Sequence, residues 1–141
     1  MKKYLLIVLI IFALFLGSCG LLTSNMKGGL SGTAWTLISY NGESLIPGSS
    51  MTAIFDGREV NGGASCNHYF GSYQTKGSQI LIEGLGWTEM ACLEPEGIMG
   101  QEQSLMSIFG QAATYAIQDQ ILQIKTDKGE TLIFQSADSE K

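Results

Sequence analysis

The chain has 141 residues, 45% of them hydrophobic and 15% charged, which suits one ordinary domain and excludes a disordered polar chain. With 8 Lys plus Arg against 13 Asp plus Glu it offers no basic footprint for a nucleic-acid backbone, so nucleic acid is excluded as a partner. Eighteen Gly and 2 Pro favour short strands joined by tight turns over a helical bundle.

Lys2 and Lys3 precede an uncharged apolar run from Tyr4 to Leu16, followed by Leu16-Gly17-Ser18-Cys19. The run is too short for the roughly 20 residues of a membrane-spanning helix, so residues 1–18 read as a secretory signal. The Leu-Gly-Ser-Cys stretch resembles the lipobox of bacterial lipoproteins, in which the cysteine is lipidated and the peptide is cut before it. Cys19 is then the expected membrane anchor, and several acyl chains hold stably; the competing reading is an ordinary signal with an incidental cysteine. Processing leaves 6 basic and 13 acidic residues, a net charge of −7. Gly20, where Gram-negative sorting reads Asp as a retention signal, makes the expected location the outer membrane, facing the periplasm, in such a host. Residues 19–31 are small and aperiodic, as in a tether between lipid and domain, and the domain is expected over 32–137.

Within it, apolar alternation predicts antiparallel strands. Trp35 and Leu37 share one face with Ile38 and Tyr40 opposite; Ala53 and Phe55 follow, then Tyr69, Gly71 and Tyr73. Asn41-Gly42, Asp56-Gly57, Lys76-Gly77 and Asp127-Lys128-Gly129 supply residues able to take positive φ where such runs reverse. Leu122 and Ile124 face Leu132 and Phe134 across the last turn. One segment breaks the period: Pro95 is followed by Ile98, Met99, Glu102, Leu105, Met106 and Phe109 at three and four spacing, bounded by Gly110. A helix is predicted there, with Pro95 at its first position and Glu94 and Glu96 at the positive end of its dipole. Gly97 and Gly100 weaken it by about 1 kcal/mol each, so it must pack its apolar stripe on a sheet.

The residues able to carry chemistry cluster in Gly62 to Tyr73 and Thr88 to Cys92. In an oxidising envelope Cys66 and Cys92, 26 positions apart, are most simply a disulfide, worth roughly 3 to 3.5 kcal/mol through loop closure. Two alternatives stand beside it: two free buried thiols, or a soft-metal site of Cys66, His68 and Cys92, since residues two apart on a strand share a face. His68 is the one histidine, no Gly-x-Ser-x-Gly elbow surrounds any serine, and Gly84-x-Gly86 lacks a third glycine. Glu89, Glu94 and Glu96 are explained by their place before the helix better than as a glycosidase pair. Trp35, Trp87 and Tyr69, with Tyr73 and Phe70, either line a ligand pocket in a small barrel or fill its core. Asn67 is expected to satisfy backbone groups in a turn.

Taken in order, Cys66-Asn67, an aromatic, Gly71 and Tyr73, then Thr88-x-Met90-Ala91-Cys92, a helix and a closing Leu-x-Ile…Gly-x-x-Leu-x-Phe hairpin resemble the META domain of the HslJ family. The match covers about residues 33–135; Ala64-Ser65 departs from the Ser-Gly common before the cysteine. The resemblance implies a small, mainly β domain, an antiparallel barrel or sandwich with one helix packed on the sheet, exported and often lipid-anchored in bacteria and linked to heat shock or antibiotic tolerance. It implies neither an enzyme nor a cofactor. The leading expectation is a non-enzymatic, lipid-anchored envelope protein acting through an envelope-protein partner. The second is a lipoprotein whose barrel binds a small hydrophobic ligand.

Overall fold

A computed structural model describes residues 29–137. The signal, the Cys19 anchor and the tether up to residue 28 lie outside the described residues. Eight strands, β1 (Thr33–Tyr40), β2 (Thr52–Asp56), β3 (Glu59–Gly63), β4 (His68–Lys76), β5 (Gln79–Trp87), β6 (Ala112–Gln118), β7 (Ile121–Thr126) and β8 (Thr131–Ser136), follow one another round a closed barrel in sequence order. Every neighbouring pair is antiparallel, and β1 pairs β8 to complete the wall. The helix α1 (Ile98–Gly110) enters between β5 and β6, whose own pairing is reduced to Gln79 opposite Thr114. Between barrel and sandwich, the outcome is therefore a closed barrel.

The strands form where the period-2 alternation places one apolar face inward. Leu37, Ala53, Phe55, Val60, Ile82, Leu122, Ile124, Leu132 and Phe134 are all buried. The expected facing of Leu122 and Ile124 with Phe134 and Leu132 is the observed register. Edge-to-face rings lock the interior: Phe55 on Tyr73 at 4.9 Å, and Tyr69 on Phe109 at 5.4 Å between centroids. Phe109 belongs to α1, so the helix closes one end of the barrel with its own apolar stripe. The interior is filled by the buried side chains of one continuous cluster. The wall and the core cluster described are formed by residues within 29–137.

Three expectations are corrected here. The helix begins at Ile98 and not at Pro95: Gly97, at φ 83°, turns the chain into it, while the Pro95 carbonyl accepts the Ile98 N–H at 3.1 Å. Glu94 and Glu96 thus precede the helix, and its first turn carries no acidic residue. At the N-terminal boundary Leu30, assigned to the tether, is buried in the common core, and Ser31 accepts the Gly57 N–H at 3.0 Å. The folded unit includes these residues because the Gly32 N–H already donates to the Phe55 carbonyl at 2.7 Å.

Two glycines are set by close approach. A Cβ on Gly62 would fall 2.0 Å from the Thr52 carbonyl oxygen, the same oxygen that accepts the Tyr69 hydroxyl at 2.7 Å. Gly71 lies at a β4–β5 bulge, where a Cβ would meet the Glu83 carbonyl oxygen at 3.1 Å.

Candidate functional site

The site is built at the end of the barrel where the β3–β4 corner, the segment 88–97 and α1 meet. At the corner, Ala64 N–H donates to the Asn67 carbonyl at 2.7 Å, and Ser65 takes φ 85°, with its hydroxyl donating to Ser50 at 2.9 Å. The tight turn leaves Asn67 buried, facing the segment that leaves β5. Thr88 extends the β4–β5 pairing, its N–H donating to the His68 carbonyl at 3.0 Å.

Asn67 uses its full side-chain capacity of two donated and two accepted bonds. Its Oδ1 accepts the Thr88 hydroxyl at 2.7 Å and the Met90 N–H at 2.7 Å. Its Nδ2 donates to the Met90 carbonyl at 3.1 Å and to Glu102 Oε1 at 2.6 Å. Glu102 reaches down from α1, and its Oε2 also accepts the N–H groups of Cys66 at 2.9 Å and Asn67 at 2.8 Å. A carboxylate buried to 3% exposure is stable here because charge-assisted amide donors surround it. The neighbouring Gln101 makes a second clamp, accepting the Ile46 N–H at 2.7 Å and donating to Ser49 at 2.7 Å. No buried side-chain polar atom is left without a partner among the described residues.

Cys66 and Cys92 are joined in a disulfide, with S–S 2.05 Å and Cα–Cα 5.9 Å. This corrects both alternatives: the sulfurs are consumed in the bond, and His68 is exposed on β4 while Cys66 lies buried in the corner before it. No cluster of three metal-ligating side chains occurs among the described residues. Disulfide and Asn67–Glu102 network together pin Thr88–Cys92 along the barrel rim.

Between that pinned segment and α1 runs an open groove of about 430 Å³, lined by Trp87, Thr88, Glu89 and Met90 on one side and Met99, Gln103 and Met106 on the other. Trp87 and Met90 are about half exposed, at 48% and 50%, and Met99 is 37% exposed. The Cys92 N–H points at the Met99 sulfur at 3.4 Å.

The pocket residues read from the sequence thus divide. Trp87 lines the groove, whereas Trp35 and Tyr69 are buried in the barrel core, because both alternate inward on their strands. Tyr73 is likewise core, and Phe70 lies on the outer face against Gly86. Of the motif residues, Asn67, Thr88 and Met90 meet in one network, Cys66 and Cys92 are bonded, Ala91 is exposed between them, and Gly71 stands apart at its bulge. Asn67 does serve backbone groups, but those of a segment 23 positions away. Burial pushes the phenols of Tyr69 and Tyr73 above their ordinary value, in Tyr73 against a hydrogen bond with Ser31. Sequence reading missed Glu102 and Gln101; the available signal was a carboxylate standing on the apolar stripe between Ile98 and Leu105.

The family described as META domain matches residues 28–139. No curated protein matches the chain. A solved structure of a protein from Burkholderia xenovorans aligns at TM-score 0.66 and 25% identity, covering 77% of this chain and 83% of that one. A second solved protein aligns at 0.62 with 21% identity, over 77% and 92% of the two chains. A DUF4847 family protein from Bacteroides vulgatus aligns at 0.57 with 12% identity, over 79% and 96%, and shares the fold alone.

Proposed function

The chain belongs to the META-domain family, a non-catalytic one, and on that premise we propose that its barrel is a binding module for a hydrophobic ligand held in the groove between residues 87–92 and α1. One observation carries this reading: Trp87, Met90 and Met99 leave large apolar surfaces exposed side by side along a concavity whose walls are fixed. Isolated apolar residues on a surface need no explanation, but a contiguous set in a cleft of this size marks a binding site. Methionine suits ligands of varied shape, since its thioether is polarizable and its side chain flexible. A barrel of this kind has an apolar interior able to enclose such a ligand, but here Phe109 and the core rings occupy it, which moves the site to the rim.

In this reading the sequence supplies the setting. Export and lipidation at Cys19 would carry the domain on a tether in the bacterial envelope, at the outer membrane in a Gram-negative host, where it could take up amphipathic compounds. Capture of an envelope-protein partner remains the other expectation raised by the sequence, and the open groove favours the ligand.

The test is titration of the domain from residue 29 onward with the apolar fluorophore N-phenylnaphthylamine, in the parent and in the Trp87→Ser, Met99→Gln double variant. Saturable binding weakened about tenfold, or roughly 1.4 kcal/mol, in the variant is expected. Equal binding by both proteins would contradict the groove as the site.

A further inference from the structure

Building on the groove as a binding site, we infer that its ligand class is the cationic amphiphile: an apolar body carrying an amine, quaternary ammonium or guanidinium group. The groove decides that something apolar binds; the charges around it decide the sign of the head group. No Lys or Arg occurs between Lys76 and Lys125, the stretch that contributes the 88–97 segment and all of α1, yet it holds Glu83, Glu89, Glu94, Glu96, Glu102 and Asp119. Glu89 lines the groove and is exposed, so its carboxylate is free to meet a head group at the rim. Beneath the floor Glu102 engages amide groups with both oxygens, and among the described residues none of its donors is a Lys or Arg. Amide dipoles spread its charge without cancelling it, so its field reaches the cleft above.

Among the described residues the basic side chains lie elsewhere. Arg58 lies in the β2–β3 turn, Lys76 ends β4, Lys125 is on β7, and Lys128 donates to Gln111 at 2.9 Å past the far end of the helix. An anionic amphiphile entering the groove would bring its head group toward Glu89 and Glu102, with no Lys or Arg among the described residues that line the cleft. A cationic one meets two carboxylates in a cleft whose apolar walls focus the field. It also meets the half-exposed indole of Trp87, whose face attracts cations.

The deciding experiment compares three probes with one alkyl chain and different heads, below micelle-forming concentrations: decyltrimethylammonium, decanol and decyl sulfate. Each is titrated calorimetrically into the domain from residue 29 onward, and into Glu89→Gln, a surface change that leaves the Asn67–Glu102 network intact. Expected is binding in the order cation, alcohol, sulfate, with the cation favoured about tenfold over the alcohol, as two partly screened charges nearby would give. Glu89→Gln should cut that preference severalfold, read within the variant as the ratio of its affinity for the cation to its affinity for decanol. Equal affinity for the three, or preference for the sulfate, overturns this inference and leaves the groove standing. If none of the three binds, the groove reading fails and this one with it. A cation preference that Glu89→Gln does not alter also overturns it, because the exposed carboxylate at the rim would then not be what meets the head group.

Discussion

Asn67 spends four hydrogen bonds on three partners, and replacing it strands groups that burial keeps from water. Asn67→Ala removes the acceptor for the Met90 N–H and one donor to Glu102, so a loss of about 3 kcal/mol is expected in urea unfolding. Ser65 presents the opposite case. It holds φ 85°, which glycine adopts freely and other residues adopt at a cost, and the resemblance places glycine at this position. Ser65→Gly should therefore stabilise the fold by about 1 kcal/mol in the same measurement, despite losing one exposed hydrogen bond to Ser50. The buried phenols set the alkaline limit. With folded values raised above the ordinary 10.0, the unfolded chain releases these protons first as the pH rises. Stability is then fully present below about pH 10 and falls above it; Tyr69→Phe should flatten that fall in urea midpoints taken from pH 8 to 11. At this scale the sequence was only half legible. Cys66, Asn67, Thr88 and Cys92 stood out as a motif, but their common partner Glu102 is 35 residues from Asn67 and looked like one more position on a helix stripe.

At the level of elements, legibility followed the strength of the local pattern. β1, β2, β4, β7 and β8 carry clear apolar alternation and were read directly. β3 ends in Gly62-Gly63 and β5 contains Gly84 and Gly86, so their alternation is diluted by glycines, Gly62 set by the Thr52 carbonyl, Gly84 by its φ of 62° and Gly86 by the ring of Phe70. β6 is marked in sequence by little besides Tyr115, and its turn to β7 uses Asp119 at φ 54° in place of glycine. The helix was visible from its stripe but its start was not, because Pro95 is a plausible first residue until Gly97 is seen to redirect the chain. The segment between β5 and α1 has no ladder of its own and is held from outside, by Asn67 and, through the disulfide, by Cys66. Reducing the disulfide should destabilise the domain by about 3.5 kcal/mol on loop-closure grounds. Hydrogen exchange should then quicken first at residues 88–97 while the barrel strands stay protected. Exchange quickening first in β7 and β8 would show that the bond supports the wall and not the groove.

For the molecule as a whole, the wall closes on itself, with β5 and β6 parting beyond their single pair where the helix enters, and leaves two places for apolar matter: the interior and the rim. The chain fills the first with its own rings, and α1 closes it with Phe109. What is left to a ligand is the cleft created because that helix must cross the rim beside a disulfide-pinned segment. Mainly β architecture and the single helix were evident from composition and period; which aromatic residues face a ligand was not, since alternation alone does not tell a filled barrel from a hollow one. The four methionines of the domain separate the two. Met51 is fully buried in the barrel core, Met90 and Met99 line the groove with exposed side chains, and Met106, itself buried, touches the groove from within the core. Methyl-labelled methionine NMR during titration with decanol is thus the most direct measurement. The expected result is saturable movement of the Met90, Met99 and Met106 signals with Met51 unmoved. Movement of Met51 with the other three still, or no movement of any, would contradict a rim-groove binding module.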